Sequence, residues 1–153
     1  MINTVLVANR GEIACRILRA CSEAGLTSIA IYAENDAGTL FTELATVSVP
    51  LDGDTIAETY LNQQQILAIA AKYGADAIHP GFGFLSERAD FAQAVIDAGI
   101  NWIGPSPHAI EMMGDKMTAR MTRKAAGVPV RPGEEIESED EAGMISAIVE
   151  ASE

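Results

Sequence analysis

The sequence predicts an open, mostly parallel β-sheet covered by helices on both faces, and three observations predict it. Short apolar runs rich in β-branched residues alternate with longer amphipathic segments. The runs are continuously apolar rather than alternating, which suits strands buried on both sides. Breakers cut them sharply, as at Asn9-Arg10-Gly11, Pro80-Gly81 and Gly104-Pro105. Strand and helix in alternation lead to parallel pairing through right-handed crossovers.

Residues 4–8 (Thr-Val-Leu-Val-Ala) form the first expected strand. A helix is expected over 12–24, where apolar residues at 13, 14, 17, 18, 21 and 24 share one face and Gly25 supplies the C′ stop. A second strand follows at 27–33, then a polar loop at 34–40 and a third strand at 45–50. The next helix is expected over 59–73, with apolar positions 61, 66, 67, 69 and 70, stopped by Gly74. A strand at 75–79, a helix at 86–98 and a strand at 101–103 complete the sheet. Ser86 is the expected N-cap of that last helix. Beyond Gly104, helices are expected at 107–113 and 116–126, broken at Gly114-Asp115. An extended connector spans 127–133, and a helix over 138–151 opens with a capping box, Ser138 with Glu141. No strand follows within the sequence to pair with that helix, so the last unit is expected to be incomplete. An ordinary C-terminal helix docked on the sheet is the other reading.

A chain of 153 residues suits about one domain. It has 22 acidic and 10 basic residues, a net charge of −12, which argues against nucleic acid and anionic membranes as partners. Cys15 and Cys21 lie on one helix at positions that cannot be bridged, no signal peptide is read at the start, and no apolar run is long enough to span a membrane. A reducing, cytoplasmic location is the expectation. The dinucleotide fingerprint G-x-G-x-x-G and the P-loop G-x-x-x-x-G-K-[ST] do not follow the strands, which argues against a nicotinamide enzyme and a P-loop ATPase.

Ligands of open parallel sheets sit beyond the carboxyl ends of the strands. The segments 9–12, 79–87 and 104–106 fall on that edge. Arg10 there either meets an anion or, by preference, pairs with Glu12 or Glu87 to clamp loops. His79 reads as a hydrogen-bonded structural histidine rather than a general base, since no nucleophile or metal-ligand partner stands at usable spacing. Phe82 and Phe84 are expected to divide between a ligand slot and the core, with Gly81 and Gly83 allowing close backbone approach. Lys116 faces the positive end of a helix dipole, a position that is unfavourable unless an anion such as a phosphate is nearby. Arg16, Arg19 and Glu23 share the polar face of the first helix, with Glu12 and Arg16 in the favourable i, i+4 order. That face is either solvated or a surface for self-association.

Several stretches together resemble biotin carboxylases. They are the run Val5 through Ala14 with Arg16 through Ala20, Tyr60-Leu61-Asn62, Ala77 through Glu87 (Ala-Ile-His-Pro-Gly-Phe-Gly-Phe-Leu-Ser-Glu), Trp102 through Ser106, and Met113-Gly114-Asp115-Lys116 through Pro129. The resemblance spans about 2–133, in order, and is strongest to the α-type subunits of acyl-CoA carboxylases, with pyruvate carboxylase a near relative. It implies a Rossmann-like pre-ATP-grasp domain over 1–113, followed over 114–153 by linker helices and the incomplete start of an ATP-grasp lid. It implies a ligase that uses Mg-ATP to activate bicarbonate and carboxylates biotin on a carrier protein, with a carboxyltransferase as a further partner. Lys116 would contact the nucleotide phosphates, and Phe82 and Gly83 would lie near the biotin and bicarbonate pocket. Arg16, Arg19 and Glu23 would fall on a homodimer face.

The resemblance also places the glycine-rich lid loop, the metal-binding glutamates and the catalytic residues beyond residue 153. No catalytic residue, no metal site and no tightly held cofactor is therefore expected in this chain, which alone would be inactive. Two departures stand out: Phe82 occupies a position where many relatives carry tyrosine, and residues 43–49 lack the acidic Ala-Asp-Glu-Ala pattern. The alternatives are a non-catalytic nucleotide-binding or self-association module, or the N-terminal domain of another ATP-grasp ligase.

Overall fold

The computed structural model describes residues 1–114 and 124–127. Five strands form one parallel sheet in the order β3-β2-β1-β4-β5. They are β1 (Thr4–Val7), β2 (Thr27–Tyr32), β3 (Val47–Pro50), β4 (Ala77–His79) and β5 (Asn101–Trp102). The helices are α1 (Gly11–Glu23), α2 (Leu40–Leu44), α3 (Gln63–Lys72), α4 (Ala89–Asp97) and α5 (Pro107–Gly114). The predicted fold class is the observed one. Two compact units divide at residues 111 and 112. Of the second, the description covers 112–114, at the end of α5, and 124–127, where Lys124 and Ala125 are helical and a turn follows with Gly127 at φ 71°.

The register sends alternate side chains to opposite faces. Leu6 sits between Ile29 and Ile78, and that row continues to Val47 on one side and Trp102 on the other. Leu6, Ile29, Ile31 and Ile78 pack with Ile66, Ile69, Ala70, Phe91 and Val95 of α3 and α4. Phe91 meets Trp102 edge to face, ring centroids 5.7 Å apart. On the other face Val7 and Ala30 pack with Ala14, Cys15 and Leu18 of α1 and Phe41 of α2. The apolar stripe predicted for the first helix is thus its buried face, and both cysteines are free and buried.

Helix α1 ends as Gly25 requires. Gly25 takes φ 70°, its N–H donates to Ser22 O at 3.1 Å, and the N–H of Leu26 reaches back to Cys21 O at 2.9 Å. This pair of bonds satisfies carbonyls that the helix end would otherwise leave open.

Three expectations need correction. Helix α3 starts at Gln63, not at residue 59, because the side chain of Asn62 accepts the N–H of Gln65 at 3.1 Å and caps it there. Residues 40–44, read as the end of a polar loop and an unassigned stretch, form helix α2; five residues show no period, and Phe41 buried against α1 holds them. Ser86 caps nothing. It lies in a 3-10 turn (Phe84–Glu87), its N–H donating to Gly83 O at 3.0 Å, and α4 begins only at Ala89. The expected helices over 116–126 and 138–151, the connector at 127–133 and the capping box of Ser138 lie largely or wholly outside the described residues.

Candidate functional site

The strand order makes β1 and β4 neighbours whose outgoing connections run in opposite directions, and the crevice beyond their carboxyl ends is the switch point where open α/β sheets bind ligands. Two segments line it: the turn at 8–11 after β1 and the segment 80–88 after β4. The ladder continues one step into the crevice, where the N–H of Ala8 donates to His79 O at 2.9 Å.

Asn9 holds these two segments together. It is 2% exposed. Its Nδ2 donates to Pro80 O at 2.8 Å and to Phe82 O at 2.9 Å, while its Oδ1 accepts the N–H of Arg10 at 3.0 Å. Gly81 lies between the two carbonyls at φ 69°, and a Cβ there would stand 2.7 Å from Asn9 Nδ2. Only glycine fits, for lack of room as well as for its backbone angle. The N–H of Gly81 donates to His79 Nδ1 at 3.0 Å, so the imidazole proton belongs on Nε2. Burial lowers the pKa of His79 from its ordinary value, which favours the neutral ring that this bond requires. His79 is the hydrogen-bonded structural residue expected.

Arg10 is a clamp, but its partner is neither Glu12 nor Glu87. Its Nε and Nη2 grip Asp36 at 2.8 and 2.5 Å. Asp36 sits in a 3-10 turn (Glu34–Asp36) after β2 and is 6% exposed. Tyr60, from the turn that follows β3, donates its hydroxyl to Asp36 Oδ2 at 2.6 Å and accepts the N–H of Ala33 at 3.0 Å. The guanidinium lies 5.8 Å from the Tyr60 ring centroid, and the Phe84 ring stacks on that ring at 5.5 Å. One knot, buried at Asp36 and Tyr60 and open to solvent at Arg10, therefore joins the exits of β1, β2, β3 and β4. Burial pushes Asp36 upward, but the hydrogen bonds from Arg10 and Tyr60 outweigh it and hold the carboxyl below its usual range. Burial and the bond to Asp36 push the Tyr60 hydroxyl up, so it stays a donor. With its guanidinium committed, Arg10 fills the structural role.

The two phenylalanines differ in burial, and Phe84 takes the core role expected of one of them. Phe84 packs against the main core cluster, whereas Phe82 is 75% exposed at the crevice. Gly83, at φ 69°, separates them. Arg16, Arg19 and Glu23 are all exposed on α1. The expected Glu12–Arg16 pair is not formed: among the described residues the ion pairs are Arg10–Asp36 and Arg88–Asp90. On a solvated helix face the side-chain entropy of two long residues outweighs so small a gain. Lys116 lies outside the described residues. Among the described residues no cluster of His, Cys, Asp and Glu is placed to hold a metal ion, and no helix is long and apolar enough to cross a membrane.

Asn9 and Asp36 were not singled out from the sequence, and Tyr60 entered only as part of a motif. Nothing in an isolated Asp within a polar loop signals that an arginine 26 residues earlier will meet it. Asn9 offered a weak signal, as a polar residue directly after a fully apolar strand.

Comparison with known proteins places this geometry. The profile of the biotin carboxylase N-terminal domain matches residues 1–110. The α3 subunit of a biotin-dependent acyl-coenzyme A carboxylase from Mycobacterium leprae is 58% identical over 132 residues, 86% of this chain and 22% of that protein. A biotin carboxylase from Halalkalibacterium halodurans is 48% identical over 141 residues, 92% of this chain and 31% of that protein. The biotin carboxylase domain dimer of the Hydrogenobacter thermophilus 2-oxoglutarate carboxylase, solved with MgADP, ADP and bicarbonate, superposes with a TM-score of 0.88 at 42% identity, over 98% of this chain and 33% of that one. The chain thus spans about a third or less of the length of these relatives.

Proposed function

The chain belongs to the biotin carboxylase N-terminal domain family, and from that premise we propose that it is the N-terminal portion of an ATP-dependent ligase that carboxylates biotin on a carrier protein. The observation that carries the proposal is the coincidence of two limits. The family match covers residues 1–110, and the sheet unit with its closed carboxyl-edge knot covers residues 1–111. What the family match recognises is one compact structural unit rather than a scatter of motifs.

In this reading Mg-ATP, bicarbonate and biotin are the small molecules of the full-length enzyme. Residues 1–113 form one wall of the active site, and 114–153 begin the lid. Lys116 contacts the nucleotide phosphates, the anion that the helix start expected there from the sequence calls for. Phe82 and Gly83, at the crevice, face biotin and bicarbonate. The chemistry of activating bicarbonate lies with residues outside this chain. The carrier protein and a carboxyltransferase are partners of the whole enzyme. Arg16, Arg19 and Glu23, all exposed on α1, form a homodimer face; Arg16 also borders a hollow of about 280 Å³ lined by Ile17, Ala20, Leu26 and Ile103, an apolar patch of the kind found at interface cores. The two free, buried cysteines accord with a cytoplasmic location.

The test is bicarbonate-dependent phosphate release with Mg-ATP and free biotin. The chain alone is expected to release none, and the full-length polypeptide that contains it is expected to turn over. Lys116→Gln in that polypeptide should raise the KM for ATP. Turnover by the chain alone, or none by the full-length polypeptide, would sink the proposal.

A further inference from the structure

Both donors of Asn9 and its acceptor oxygen are engaged. Its two N–H groups go to Pro80 O and Phe82 O, its oxygen takes the N–H of Arg10, and it is 2% exposed. Aspartate lacks the donors, serine has one where two are needed, and glutamine is a methylene too long for a site that Gly81 already fills to contact. The segment on the far side of Phe82 is pinned as well. Phe84, at φ 49°, is the one non-glycine among the described residues in the left-handed region, and its ring is seated on Tyr60. Strain of that kind persists only where the surroundings over-determine it. Between the two anchors, Phe82 projects at 75% exposure from a backbone held by the Asn9 hydrogen bonds on one side and the Phe84–Tyr60 stack on the other. Both the anchors and the exposed ring are at the switch-point crevice.

We propose that Asn9 is a positioning residue for biotin: through the carbonyls of Pro80 and Phe82 it sets the pose of the Phe82-Gly83 pair against the uncharged heterocycle. The proposal rests on the reading of this chain as part of a biotin carboxylase. Asn9 does not touch the ligand. It acts by removing alternative conformations of the loop that does, so that the ordering cost is met on folding rather than on binding.

The experiment measures KM for free biotin and KM for ATP separately in the full-length enzyme. Asn9→Asp keeps the shape and loses both donors. It should raise the biotin KM about tenfold or more and leave the ATP KM within about twofold, as expected when a contact is displaced on the ångström scale. Gly81→Ala approaches the same contact from the other side: it deletes no donor or acceptor but drives a methyl against the Asn9 amide and Ile13 Cγ2, and the same split is expected. It also serves if Asn9→Asp does not accumulate as folded protein. Phe82→Ala tests the premise. If Phe82→Ala leaves the biotin KM unchanged, the loop does not face biotin and the reading of the site falls, the role of Asn9 with it. If Phe82→Ala raises it while Asn9→Asp and Gly81→Ala do not, or if those two raise both KM values alike, the site reading stands and the positioning role is overturned.

Discussion

At the scale of single residues, the chemistry of this domain lies in a few buried polar groups whose partners are far away in sequence. Asp36 is the centre of the knot, accepting from Arg10 and Tyr60. Replacing it with asparagine leaves the Arg10 guanidinium without its counter-charge, and about 2–3 kcal/mol of stability should be lost in urea titrations. The folded pKa of Asp36 lies below its unfolded value of about 3.9. Its contribution is therefore fully present above about pH 4 and disappears as pH falls through the lower, folded value. Wild type should lose stability on that acid limb more steeply than Asp36→Asn, and parallel curves would refute the assignment. Tyr60→Phe keeps the stack on Phe84 but leaves Ala33 N–H without its partner and Asp36 short of a donor. It should cost about 1–2 kcal/mol by the same measurement.

At the scale of elements, the ends decide more than the interiors. The periodic interiors of α1, α3 and α4 were legible, because burying one face imposes a 3.6-residue repeat on sequence. The beginnings of α3 and α4 were not, since several polar residues near a helix start compete for the cap and packing chooses among them. Asn62 wins at α3, where its side chain accepts from Gln65. At α4 no side chain caps, and Arg88 pairs with Asp90 in the first turn, which with Gln63 holds that exposed carboxyl down to about 2. Thermal melts should reflect this contrast. Asn62→Ala should cost about 1 kcal/mol as a lost N-cap. Ser86→Ala, at the position sequence reading had favoured as a cap, should stay within about 0.5 kcal/mol of wild type. A Ser86→Ala loss as large as that of Asn62→Ala would contradict the structure.

At the scale of the molecule, stability rests on the layer between the sheet and helices α3 and α4. Phe91 is fully buried there, against Trp102 of the edge strand. Phe91→Ala should cost about 3–5 kcal/mol, enough to threaten a domain of ordinary stability. Loss of cooperativity in the urea transition would be the visible sign. The chain spans a third or less of its relatives' length, and under the proposed function activity belongs to a longer polypeptide that contains it. Variants of the knot can therefore be ranked by stability in the domain, whereas variants of the crevice must be ranked by KM in the full-length enzyme.

The sequence by itself determined the layers of this protein: which runs are strands, which faces of the helices are buried, and where glycines end them. Those features are local, because hydrophobic period and backbone freedom are written in neighbouring residues. Its motifs also sufficed to identify the family. Only the tertiary structure decided the partners. Arg10 finds Asp36 and not Glu12 or Glu87, and Asn9 closes on carbonyls more than seventy residues away, because parallel strands bring their carboxyl ends to one edge whatever their order in the chain. A buried polar group must take whatever complement that edge presents, and no property of its own neighbourhood in sequence names it.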